Sequence, residues 1–194
     1  MKDTLKFYNS IYEPLFAKGY TKECNRARPA LRRSQKYFDA NNIKIESVID
    51  VGCAWGKALG YWKKMGAKAI GIDVSKKAVK ACLKKGYEAH IASATDLSFI
   101  PDNSFDLYMS TDVYEHLRPE DIKPALLEAM RVSKKFILLR IHPVMDSREK
   151  LHLTVKGSKE WYRIFETEYK FNILDIGDNG QKYYKSCFLL ENTK

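Results

Sequence analysis

The sequence predicts an α/β fold, a mostly parallel sheet of seven strands with helices on both faces. Three observations carry that prediction. Short apolar runs alternate with amphipathic stretches along most of the chain, the pattern of strand and crossover helix. The run Val48-Ile-Asp-Val51 passes into a turn bearing Gly52 and Gly56, then into a helical segment. That order gathers backbone N–H groups at a helix N-terminus, where a ligand can approach closely. Acids recur along these units: Asp50 in the first run, Asp73 closing Lys68-Ala-Ile-Gly-Ile-Asp73, and Asp96 after the run Tyr87 to Ala92. In nucleotide-type folds an acid at the end of the second strand accepts hydrogen bonds from ribose hydroxyls.

The elements follow in order. Residues 1–44 read as a helical segment ahead of a main domain, 45–194. Phe7, Tyr8, Tyr12, Phe16 and Tyr20 recur near helical spacing, and Lys18-Gly19-Tyr20 breaks the helix. A second helix covers about 23–40 with Leu31, Tyr37 and Phe38 on its apolar side, and Asn41-Asn42 turns the chain. Then come strand 47–51, helix 56–65, strand 68–72, helix 75–85, strand 87–92, strand 105–110, helix 119–132 and strand 135–142. Ser75 can cap the helix after Asp73, and Pro119 and Glu120 suit a first helical turn. Helix 157–167, capped by Ser158, precedes strands 170–175 and 182–190, which Gly177-Asp-Asn-Gly180 joins as a hairpin.

Composition sets limits. At 194 residues the chain fits one domain with a full core. No apolar run approaches a membrane span and the N-terminus lacks a signal-peptide core, so a cytoplasmic enzyme without membrane attachment is expected. Cys24, Cys53, Cys82 and Cys187 lack the paired spacing of a zinc knuckle or disulfide framework, and Cys53 is read as filling space in the glycine turn. Residues 1–44 hold ten basic against four acidic side chains, more than half of the net charge of +10. Such a segment is either a solvated helix face or an attraction for an anionic acceptor or nucleic acid.

The constellation resembles the class I S-adenosylmethionine-dependent methyltransferases over roughly residues 45–145. The family's first motif, an acid, an apolar residue and Gly-x-Gly-x-Gly, reads here Asp50-Val51-Gly52-Cys53-Ala54-Trp55-Gly56, with Ala54 in place of the middle glycine. Asp73 matches the ribose-binding acid, and Asp96 the acid that holds the adenine amino group. The stretch Pro101 to Ser110 matches the approach to the fourth strand, and Asp112-Val-Tyr-Glu-His-Leu117 the loop after it. The resemblance implies a Rossmann-like sheet bound to S-adenosylmethionine through Asp50, Gly52, Cys53, Gly56, Asp73, Asp96 and Thr111. It also implies a lid made by residues 1–44, whose aromatics read equally as packing on the sheet, and an antiparallel strand inserted by the terminal hairpin; the strand pattern alone requires only a hairpin. A nicotinamide-binding fold is disfavoured, because the glycine spacing differs and the chain leaves no room for a second domain.

Methyl transfer to a hydroxyl needs the acceptor held close and its proton removed. Reacting groups lie beyond the carboxyl ends of the strands, where loops 111–117 and 142–156 carry His116, His142 and His152. His142 or His152 is the expected base and Tyr114 the expected positioning residue; His90 is read as structural. Trp161 and Tyr162 either line an acceptor pocket or belong to the core. The expected reading is O-methylation of a small-molecule or sugar-type acceptor, at a site without metal. The alternative uses Asp112, Glu115, His116 and His152 as ligands of a divalent ion. That spacing resembles the metal-dependent small-RNA 3′-terminal 2′-O-methyltransferases and in part the ubiquinone-biosynthesis O-methyltransferases, with aspartate where they favour glutamate. A further alternative is a non-catalytic cofactor-binding partner subunit.

Overall fold

The sheet runs in the order β3-β2-β1-β4-β5-β7-β6. In this computed structural model the described residues are 2–20, 27–142, 151–174, 176 and 186–193. The strands are β1 (Ser47–Val51), β2 (Lys68–Asp73), β3 (Glu88–Ile91), β4 (Phe105–Thr111), β5 (Ser133–Arg140), β6 (Asn172–Leu174) and β7 (Cys187–Glu191). The first five are mutually parallel, and β7 lies antiparallel between β5 and β6. The inserted antiparallel strand is therefore present; the hairpin turn expected at 177–180 lies outside the described residues.

Helices α1 (Lys2–Ala17), α2 (Ala27–Ala40), α3 (Lys57–Lys64), α4 (Lys76–Lys84), α5 (Pro119–Val132) and α6 (Ser158–Arg163) cover the sheet. Strand side chains alternate between two cores. Ile49, Tyr108, Ile137, Leu139, Phe188 and Leu190 join α1, α5 and α6 on one face. Val48, Leu107, Met109, Phe136, Leu138 and Leu189 join α2 and α3 on the other. Burial on both faces is why the central strands read as continuous apolar runs. Among the described residues no helix is long and apolar enough to cross a membrane.

Local signals mostly hold. Gly19 (φ 82°) and Asn42 (φ 54°) take left-handed turns after α1 and α2. Ser75 Oγ accepts the Ala78 N–H as the cap of α4. Three expectations are corrected. β5 begins at Ser133, because Lys134 and Lys135 are exposed strand residues and Lys134 reaches Asp106 on β4. Ser158 is the first residue of α6 and not its cap; Gly157 occupies that position, and its N–H donates to Glu160 Oε2 at 2.7 Å. The α-helix ends at Arg163 and widens into a π-helical turn over Ile164–Glu168.

Candidate active site

The carboxyl ends of β1, β2 and β4 converge on a cavity of about 170 Å³. Its floor is the turn after β1. Gly52 has φ 85°, and a Cβ there would stand 2.2 Å from Val113 Cγ2, so only glycine fits. Ala54 also takes a left-handed conformation (φ 46°), which costs an alanine about 1–2 kcal/mol. Asp73 offsets that cost, because its Oδ2 accepts the Ala54 N–H at 2.9 Å. Its Oδ1 accepts the Ser75 N–H at 2.9 Å, so one carboxylate ties the turn after β1 to the start of α4. Cys53 is buried, with Sγ 3.9 Å from Cys82 Sγ, and fills space as expected.

Asp50 and Asp73 are both buried and both line the cavity. Burial first, then the charge of Asp73, raises the Asp50 carboxyl to about 7. Burial raises Asp73 to about 6, against the backbone N–H groups that lower it. Thr111, Gly52, Cys53 and Gly56 were expected around the same ligand. Thr111, Gly52 and Cys53 line the cavity; Gly56 (φ 72°) opens α3 beside it. Asp96 stands apart from the lining. Its Oδ1 accepts the Ser98 N–H, and Ser93 and Ala94 form that wall instead. Pattern matching to an acid passed over these small residues, whose only signal is their place just beyond β3.

α1 roofs the cavity. Tyr12, Phe16 and Tyr20 line it, and Trp55 Nε1–H donates to the Tyr20 carbonyl at 2.7 Å. α1 is also fastened to the body. Tyr8 Oη donates to Asp121 at 2.6 Å, and the Ser75 hydroxyl donates to Glu13 at 2.6 Å.

A polar cluster adjoins the cavity at His116. The chain after β4 makes a 3₁₀ turn over Tyr114–His116. Thr154 clamps the 151–157 segment to it, donating its N–H to the Glu115 carbonyl and its hydroxyl to the Leu117 carbonyl. The clamp brings the His152 ring to 4.8 Å from His116 and 5.3 Å from His142. Glu115, 1% exposed, accepts the His142 backbone N–H at Oε1. The sequence spacing grouped Glu115, His116 and His152 as one alternative; the Thr154 clamp that holds them together is what it did not show.

Other expected residues fall elsewhere. Tyr114 does not reach an acceptor site: it is 1% exposed, its hydroxyl 3.4 Å from that of Tyr108, because the 3₁₀ turn points it into the core. Trp161 is wholly buried, stacked on Phe165, and so belongs to the core. Tyr162 is half-buried and bonds Glu166. Asp112 (φ 55°) pairs with Arg140 and stands outside the polar cluster. His90 lies exposed on the edge strand β3 beside Glu88.

Comparison with known proteins places this geometry. Residues 49–136 match the family model described as a methyltransferase domain. An uncharacterized protein, MJ1123 of Methanocaldococcus jannaschii, is 33% identical over 109 residues, 52% of this chain and 52% of that one. The tRNA (carboxymethyluridine(34)-5-O)-methyltransferase alkbh8 of Xenopus tropicalis is 36% identical over 99 residues, 50% of this chain and 15% of that one. The chain thus spans about half or less of the length of the curated relatives it matches. In fold it is similar to a Burkholderia thailandensis 1,6-didemethyltoxoflavin-N1-methyltransferase, solved with its acceptor and S-adenosylhomocysteine: TM-score 0.71, 11% identity, 97% of this chain and 90% of that one.

Proposed function

This chain carries a class I S-adenosylmethionine-dependent methyltransferase domain, and on that premise we propose that it methylates an oxygen of a small acceptor, such as a sugar-type hydroxyl. The residues present fit the cofactor. Gly52 leaves space that a Cβ would fill, and the buried carboxylates of Asp50 and Asp73 suit a ligand with ribose hydroxyls and a net positive charge. S-adenosylmethionine supplies an electrophilic methyl group. Asp73 holds the ribose end, and the turn at Gly52 lets backbone approach the ligand. Tyr12 and Phe16 of α1, with Tyr20 just beyond it, exclude water.

The observation that supports an oxygen acceptor is the cluster of Glu115, His116, His142 and His152 next to the cavity. A hydroxyl loses its proton as the methyl arrives, and this cluster offers the groups that manage that proton.

A second reading, an RNA acceptor, is favoured by Arg28, Arg32 and Lys36, which stand a turn apart on the exposed side of α2, and by the similarity to the tRNA methyltransferase. Purified protein given tritiated-methyl cofactor with sugars, catechols, phosphoethanolamine and tRNA decides between them. The expected result is label on a hydroxyl acceptor, nearly constant between about 50 and 200 mM salt. Label on tRNA, with binding falling about 40-fold or more over that range, as three phosphate contacts require, would assign the RNA reading instead.

A further inference from the structure

We propose that Glu115, His116 and His152, with His142 adjoining, bind a divalent transition-metal ion beside the cofactor cavity. One ligand atom from each of the first three lies within 4.8 Å of the others. Bonds of about 2.0–2.2 Å to a shared ion place donors roughly 3–4 Å apart, a difference that small side-chain rotations close.

Supporting contacts aim the donors. His116 Nδ1 lies 3.0 Å from the Leu151 carbonyl oxygen, which can only accept. Nδ1 therefore donates, which in the neutral ring leaves Nε2 as the lone-pair nitrogen, the arrangement that orients a metal-bound imidazole. The His142 N–H fixes Glu115 Oε1 at 3.1 Å. Thr154 fixes the backbone on both sides of His116.

The donor set differs from the one the sequence spacing marked. Asp112 pairs with Arg140, and His142 takes a place at the cluster. Two imidazoles and one carboxylate, with a third imidazole adjoining, suit zinc, iron, cobalt or nickel better than magnesium or calcium. His116 borders the cavity, so an ion on it faces the acceptor side. There it would bind an acceptor hydroxyl and lower its pKa, which rests on the acceptor reading above.

Protein stripped with chelator and dialysed is titrated with Co²⁺, followed by visible absorption and calorimetry, with cofactor affinity measured on the same samples. One Co²⁺ per chain is expected, bound at least about ten-fold more weakly by Glu115→Gln and by His152→Ala, a loss that removing even a supporting group can cause. His90→Ala should bind as the unaltered protein does, and all variants should keep cofactor affinity. If Glu115→Gln fails to fold, His152→Ala decides. Co²⁺ binding absent, or equal in the unaltered protein and both cluster variants, overturns the site. Cluster-dependent Co²⁺ binding with every hydroxyl acceptor untouched keeps the site and removes the acceptor reading. Methylation of a hydroxyl by stripped protein that refuses Co²⁺ does the reverse.

Discussion

Asp73 serves the fold and the ligand with the same carboxylate. Each oxygen already accepts one backbone N–H, from Ala54 and from Ser75. Each keeps acceptor capacity for a ribose hydroxyl. Asp73→Asn, which loses the charge and one of the two backbone acceptors, should weaken S-adenosylmethionine binding by about 1.5–3 kcal/mol or more in calorimetry. Unchanged affinity with an intact circular-dichroism spectrum would remove Asp73 from the site. Asp96→Ala should leave affinity nearly intact, since Asp96 is absent from the cavity wall. The cofactor end was legible because its demands fall on the backbone: a glycine turn and an acid at a strand end leave a spacing. The acceptor end was not, because Tyr114 and Trp161 read alike as pocket or core until packing decides.

The two buried acids also set a pH response. Folding raises Asp50 to about 7 and Asp73 to about 6, so each is harder to ionise in the folded chain than in the unfolded one. Their contribution to stability is complete below the unfolded value of about 3.9 and is lost as pH rises through the folded values. Cofactor-free protein should therefore melt lower at pH 7.5 than at pH 5, by about 2–4 °C for each kcal/mol at this chain length. Asp50→Asn should flatten that dependence. A melting temperature that climbs over the same interval and does not flatten in the variant would contradict the assignment. Ligand binding runs the other way: a positively charged cofactor favours ionised acids, so affinity tightens as pH rises.

Among the elements, α6 differs most between its sequence signal and its place in the fold. Helical spacing showed that it exists but not which way it faces. Trp161 turns inward against Tyr114 and Phe165, and the segment after it carries Phe165 into the same core. Trp161→Ala should cost about 3–5 kcal/mol in denaturant unfolding, the usual loss for a buried indole. Trp161→Phe should cost far less, because the indole N–H finds no hydrogen bond among the described residues. Cofactor affinity should survive both changes; a selective loss of acceptor binding without loss of stability would return Trp161 to the pocket. β5 shows why strand starts are hard to read. Two lysines look like a loop, yet here they take the exposed beginning of a strand whose next residues, Phe136–Leu139, are buried.

At the scale of the whole molecule, the alternation of strand and helix made the parallel sheet readable, since a buried parallel strand demands a continuous apolar run. What no run of residues encodes is the meeting of distant segments. Tyr8 bonds Asp121, 113 residues away, and Thr154 holds the loop that brings His152 to His116. The roof formed by α1 has a kinetic consequence. Tyr12 and Phe16 form one wall of the cavity, and the bonds from Tyr8 and to Glu13 hold α1 in place against opening. A lid that opens more slowly than methyl transfer makes product departure the slow step. Rapid mixing should show a burst of about one methyl transferred per chain, followed by a slower steady rate. Removing the anchors by Tyr8→Phe together with Glu13→Gln should speed the steady phase and shrink the burst. A linear time course in the unaltered protein would mean that the roof does not pace turnover.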